Sequence, residues 1–409
     1  MTRAAGIPTL DAAAGIVIRV AHARPRLLSR PSPMLQNRFV EVIVTGLSAR
    51  LAAAIALLPV ALLLIGQAYP ALWKNEGRAH FAPEAASAEV IRADRPGDVE
   101  GRLVSVTGAV HATERAGDRE LLAPGPWLAV IRQVETHAWE ESVDVDEERM
   151  WGGRLRTTTT IEYAMDRTAR VLTPGEMVHP DGHENPGERW RSQAFLAPGA
   201  HIGALRVDPA QLAGVAPVPL DPAQVTRVGE AADAPIVDGA VFLGQGTPEH
   251  PELGDQWVRW YVIPDGVGVT AFGEVIGGQL REHPWKAGMN LLIAFEGERD
   301  EALQMLRGID SMVTWAIRFG GLFALWVGFF LLLGPLFVLV DIVPPLGLLV
   351  RIAAGILLVL PTLLTGVGVI LVSQTVHSTP ALLLLGLGGA YAVYASIRLR
   401  RDLARTGSR

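Results

Sequence analysis

The C-terminal quarter constrains this chain more than any other part. Between Ser311 and Arg409 three apolar runs, 319–340, 352–372 and 381–397, follow one another with no charged side chain inside those limits. Each approaches the ~20 residues that carry a helix across a bilayer core. One further uninterrupted run, 51–69, precedes a long polar insert. The pattern is that of an integral membrane protein with four transmembrane α-helices, one N-terminal and three C-terminal, and a large extracytoplasmic domain.

Charge orients this arrangement. Residues 1–50 hold seven Arg against two acids, the tail after Ile397 holds five Arg against one Asp, and residues 51–312 hold 22 basic against 38 acidic side chains. Basic flanks favour the cytoplasmic side, so both termini are expected inside and the acidic insert outside. The map that follows is a basic, partly disordered cytoplasmic segment (1–50), a first span (51–69), an extracytoplasmic domain (70–299) and an amphipathic helix at the membrane surface (300–318). Spans at 319–340, 352–372 and 381–397 and a basic cytoplasmic tail (398–409) complete it. Residues 1–33, rich in Ala, Arg and Pro, lack periodicity, and Met34 is the expected true start. There is no cysteine, which removes disulfides and thiolate chemistry together. Only Lys74 and Lys286 are lysines, a composition that fits a GC-rich bacterial genome and hence the inner membrane.

The insert reads as mainly β, with some helix (α+β). Residues 102–110 alternate, with Val104, Val106 and Val110 on one side and Ser105 and Thr107 on the other, as a half-buried strand does. Residues 127–145 and 154–163 form a candidate long hairpin, whose second arm carries Thr157, Thr158, Thr159 and Thr160; β-branched side chains favour a strand. Shorter strands are expected at 200–207, 237–244, 258–263, 267–276 and 290–295, and a helical insertion at 209–213. From Asp300 the period turns helical, with Ala302, Leu306, Ile309, Val313 and Ile317 on one face, and the helix runs on into the second span.

Candidate sites are few. Ionisable groups at membrane depth would mark a transport route, but Arg318, Asp341 and Arg351 fall at span ends, where interface anchoring explains them. Pro335 and Pro361 are candidate kinks, and Gly386, Gly388, Gly389, Ala390 and Ala392 make the last span a close-packing surface for an oligomer. His179 and His183 have the spacing of a helical metal pair but lie in a Pro- and Gly-rich loop, so no metal site is assigned. Glu135, Glu140 and Glu141 on the hairpin read as a solvated face and not as an acid/base pair. No motif for a nucleotide, cofactor or hydrolase nucleophile occurs, and an acidic insert without a basic aromatic groove argues against nucleic acid.

Several short stretches nevertheless form a signature. They are Asn75-Glu76-Gly77-Arg78, Glu100-Gly101-Arg102, Arg132 to Glu135 with Trp139 and Glu141, His183 with Asn185 and Pro186, Gly254-Asp255, Ser311-Met312 with Trp315, and Asp341. In this order the chain from about Met34 onward resembles the transmembrane protein 43 (LUMA) family, as a bacterial member. The resemblance implies one N-terminal and three C-terminal spans around a luminal domain. In animals it implies the endoplasmic reticulum and nuclear inner membrane and a self-associating scaffold. It supplies no catalytic, cofactor or metal residues. The expectation is therefore a non-enzymatic membrane scaffold that forms homo-oligomers, binds unidentified membrane or periplasmic proteins through its ectodomain and organises the envelope; the alternative is a membrane-anchored hydrolase or a regulatory subunit of a membrane enzyme complex.

Overall fold

The computed structural model describes residues 37–212, 214–285 and 289–377. The expected last span at 381–397 with its small-residue surface, the basic tail and the segment 1–33 lie outside the described residues. The chain divides into two units. The first comprises residues 82–142 and 161–305, together with the residues before Phe39; the second comprises 39–81, 143–160 and the residues from Leu306 on.

The strands, in chain order, are β1 (Asn37–Thr45), β2 (Glu89–Arg92), β3 (Leu103–Ala112), β4 (Trp127–Met150), β5 (Arg154–Thr168), β6 (Gln193–Leu196), β7 (Ala200–Ile202), β8 (Leu205–Val207), β9 (Val218–Pro219), β10 (Ile236–Val237), β11 (Ala240–Leu243), β12 (Gln256–Pro264), β13 (Gly268–Ile276) and β14 (Gln279–Arg281), then β15 (His283–Trp285), β16 (Met289–Leu291) and β17 (Ile293–Glu296). One sheet runs β1-β5-β4-β12-β11-β10, with β6 on β4 and β9 on β12. A second runs β17-β13-β14-β8-β7-β3-β2, with β13 also paired along β3. A mainly β domain is thus present, and the alternation read at 102–110 is its β3.

The two sheets of the first unit share an apolar core. Val104, Val106, Val110, Val269 and Ala271 from one meet Leu128, Ala129 and Ile263 from the other. A second cluster gathers Leu121, Leu122, Val130, Val134, Val258 and Trp260. Burying such side chains is worth ~1.5–3 kcal/mol each, which is what orders the sheets. The run expected at 200–207 is two strands joined by a turn at Gly203, and the expected helix at 209–213 is a short 3-10 turn, Pro209–Gln211.

β1 was not anticipated. It falls in the region read as a basic N-terminal segment, yet Phe39, Val40, Val42, Ile43 and Val44 make it a β-branched strand at the end of the larger sheet. Arg38 pairs with Glu162 of β5 at 3.5 Å.

Helices dominate the second unit: α1 (Leu47–Ala56), α2 (Leu58–Glu76), α3 (Phe81–Ser87, which lies across the boundary into the first unit), α4 (Arg299–Leu332), α5 (Gly334–Val340), α6 (Pro344–Leu357) and α7 (Val359–His377). Three stretches, Leu47–Ser87, Arg299–Leu332 and Pro344–His377, are long and apolar enough to cross a membrane. Each is interrupted, or ends, just before a proline: at Leu57 before Pro59, at Leu333 before Pro335 and at Leu358 before Pro361. Proline lacks an N–H and is best placed in a first helical turn, so each of these three stands at a helix restart, while Pro70 lies inside α2. Ala68, Leu72, Leu325 and Ile370 form the buried seam between α2, α4 and α7. Leu346, Leu349, Ile352, Ile356, Leu360 and Leu364 remain exposed along α6 and α7, the surface that lipid covers.

Candidate functional site

The signature residues do not converge on one centre. They fall into local clusters, each closed by identifiable hydrogen bonds. In the first, the loop after β5 is clamped onto β4. Asn185 Oδ1 accepts from the Trp139 N–H at 2.7 Å, and its Nδ2 donates to the carbonyls of Trp139 and Leu172, both at 3.0 Å. The His183 ring stacks on Tyr163 with centroids 4.0 Å apart and meets Trp139 edge-on at 4.8 Å. His183 is therefore spent on packing at 1% exposure. Glu141 accepts from the Tyr163 hydroxyl and from the Val178 N–H at 2.7 Å, and the same hydroxyl accepts from the His179 N–H. Burial, with the Glu141 carboxylate second, pushes the Tyr163 phenol above its ordinary range.

Asp255 closes the neighbouring turn. Its carboxylate accepts from the N–H groups of Gln245, Gly246 and Glu252 at 3.0, 3.1 and 2.8 Å. Gly254 has φ +97°, and a Cβ there would meet the Pro186 ring at 2.9 Å, so glycine is needed for both conformation and contact. Between the two clusters runs His137, whose N–H and carbonyl bond Asp255 and Gly254. Burial holds its imidazole pKa below the ordinary value, against the pull of Asp166 and Asp255.

Arg132 is the centre of the third cluster. Its Nη1 donates to both oxygens of Asp118 at 2.8 and 3.0 Å and to Glu120 at 3.1 Å, while Trp260 Nε1 donates to Asp118 at 3.0 Å. The guanidinium lies 5.4 Å from Trp190 and 5.2 Å from Phe195, and Nε donates to the Arg191 carbonyl. Glu135, six residues before Glu141 on β4, pairs instead with Arg167 at 2.5 Å and Arg259 at 4.0 Å. Glu135 and Glu141 thus serve separate partners. Among the described residues no three His, Asp or Glu side chains are grouped to hold a metal ion. Glu100 caps the Gly277 N–H at 2.9 Å beside a cavity of about 170 Å³, Arg102 pairs with Glu89 at 3.0 Å, and Gly101 takes φ +70°.

Two clusters belong to the helical unit. At one, Glu76 takes both arms of Arg318 at 2.9 and 2.8 Å, Arg318 lies over Trp315 at 4.9 Å, Asn75 Nδ2 donates to the Thr314 carbonyl, and Arg78 reaches the Asp310 carbonyl. Gly77 leaves room for the His377 ring, while Met312 is exposed next to Ser311. At the other, Asp341 is met by Arg50 and Arg351 at 2.5 Å each and by Arg149 at 3.6 Å. Sequence reading singled out Asp341, Arg318 and Arg351 and missed Arg50, Arg149, Asp118 and Tyr163. An unpaired Asp in an apolar flank is itself a signal that cations must come from elsewhere.

These features define a membrane protein whose apolar helices carry a large two-sheet β domain with structural, internally bonded polar clusters. The chain belongs to the transmembrane protein 43 family: the family model for transmembrane protein 43 matches residues 136–379, more than half of it. It is 26% identical over 294 residues to transmembrane protein 43 of Rattus norvegicus and 25% identical over 300 residues to that of Homo sapiens, covering 67% of this chain and 72% of the relative in each case. No solved structure matches.

Proposed function

We propose that this membrane protein is a non-enzymatic scaffold that self-associates and offers its β domain to protein partners. The observation that carries the reading is β1, an edge strand with Val40, Val42, Ile43 and Val44 all about half exposed. An apolar edge strand is a template for another strand, and natural sheets otherwise blunt it with charge or proline. The same sheet offers a second open edge among the described residues, because β12, on the edge of β4 away from β5, pairs it only as far as Thr136 while β4 continues to Met150. Val143 and Val145 are exposed there, so the edge of one copy fits the hairpin of the next in a head-to-tail contact. The signature clusters support the reading by holding the loops rigid around these edges.

Crosslinking in native membranes and light scattering in detergent test it. The wild type is expected to form higher-order species that Val42→Lys dissociates. A wild type that stays monomeric on concentration, or a variant that assembles as the wild type does, overturns it.

A further inference from the structure

Asp341 is surrounded by more positive charge than it can neutralise. It is fully buried, and three arginines from three separate elements close on its Oδ2: Arg50 from α1, Arg149 from the end of β4 and Arg351 from α6. The turn between β4 and β5 is bound to the same place, since Arg50 Nη1 donates to the Gly153 carbonyl at 2.6 Å and the Gly152 N–H to the Ile342 carbonyl at 3.1 Å. A Cβ on Gly347 would lie 2.1 Å from Asp341 Oδ1, so only glycine lets α6 start so close to the carboxylate. The cluster is built, and its parts are fixed.

Its donors are not used up. The Nε atoms of Arg149 and Arg351 are buried and make no hydrogen bond, that of Arg149 keeping only its 3.6 Å ion pair to Asp341. Arg149 Nη1 and Nη2 and Arg351 Nη1 make no hydrogen bond among the described residues, and these side chains keep 29% and 23% exposure, so the free donors face outward. Glu147, exposed on the hairpin, acts on Arg351 at longer range, and cations still outnumber anions. The surroundings say which anion is at hand. Leu339, Ile342, Leu346 and Leu349 expose apolar side chains around the cluster's own elements, and Trp151, 69% exposed, stands at the hairpin tip next to Arg149. Arginine forks match phosphate oxygens, and an aromatic beside cations at the end of apolar helices is the composition of a headgroup layer.

We propose that Arg149 and Arg351, steadied by Arg50 and Asp341, bind the phosphate of an anionic phospholipid headgroup whose tails lie along the exposed leucines. The lipid completes a cluster that the described residues leave short of one anion.

Native mass spectrometry of the full-length protein in detergent reads this directly. Phosphatidylglycerol should be retained over phosphatidylcholine of the same chain length. Arg149→Gln, which removes the most distant contact to Asp341 and so spares the clasp, should weaken that retention about fivefold. Arg154→Gln, an exposed charge on the same hairpin, should leave it unchanged. Equal retention of the two lipids overturns the proposal, and so does an equal loss in both variants, which would mean diffuse attraction. Displacement of the lipid by millimolar inorganic phosphate would make this a free-anion site and overturn the lipid assignment. If Arg149→Gln does not fold, Arg351→Lys keeps the charge, loses the fork and should show the same selective weakening.

Discussion

Asp118 in the β unit and Asp341 in the helical unit are both buried completely, and both are held by arginine, but they are opposite kinds of ion pair. Asp118 receives Arg132 on both oxygens and Trp260 on one, and the cation is sandwiched by Trp190 and Phe195. Both Asp118 oxygens, the Arg132 Nε and Nη1 and the Trp260 Nε1 have their partners within the domain, and only the buried Trp190 Nε1 beside them makes no hydrogen bond among the described residues. Asp341 instead leaves Oδ1 without a hydrogen bond and shares Oδ2 among three cations. A closed pair specifies a core; an open one with surplus donors waits for something from outside. Burial alone does not distinguish the two, and the count of donors against acceptors does.

The sharpest way to break this contrast is to delete each carboxylate. Asp118→Ala strands a 3%-exposed arginine in the core and should cost the β unit about 3–5 kcal/mol, measured by hydrogen exchange along β4. Asp341→Ala leaves a nearly buried Arg50, but Arg149 and Arg351 already reach water, and it should cost about 1–3 kcal/mol, seen as faster proteolysis of the 143–160 hairpin. Equal losses would erase the distinction. Asn185→Ala tests whether the loop clamp is closed in the same sense; it unpairs the Trp139 N–H and two carbonyls and should cost about 1–2 kcal/mol by thermal unfolding. The smallest effect belongs to His137. Its folded pKa lies below the unfolded one, so the unfolded chain binds more protons between the two, and stability falls as pH drops below about 6.5. His137→Gln should flatten that slope by under ~1 kcal/mol, measured as melting temperature against pH.

Much of the fold was legible because hydropathy and alternation act locally. The apolar runs 319–340 and 352–372, the alternation of β3 and the threonines of β5 each identify an element without reference to its neighbours. Pro335 and Pro361, read as kinks, stand instead where one helix ends and the next begins. β1 was missed because a short β-branched segment next to a basic stretch gains its partner only from β5, more than a hundred positions away. The site was less legible still. Glu135, Glu141 and His183 stand out as chemistry-bearing types, but whether they are spent is decided by Arg167, Tyr163 and Trp139, and only folding brings these together. Arg50 and Arg149 look like solvated charges until Asp341 is seen between them.

The pairing of β1 with β5 bears on topology as well as on packing. A backbone ladder cannot form through a bilayer, and strands with an open edge cannot lie in hydrocarbon, so β1 and the hairpin share one aqueous compartment. A single crossing at 51–69, as the charge pattern counts it, would instead put β1 and β5 on opposite sides, so the ladder and that single crossing conflict. A strand of nine residues thus bears on whether the stretch at 51–69 alone separates β1 from the β domain.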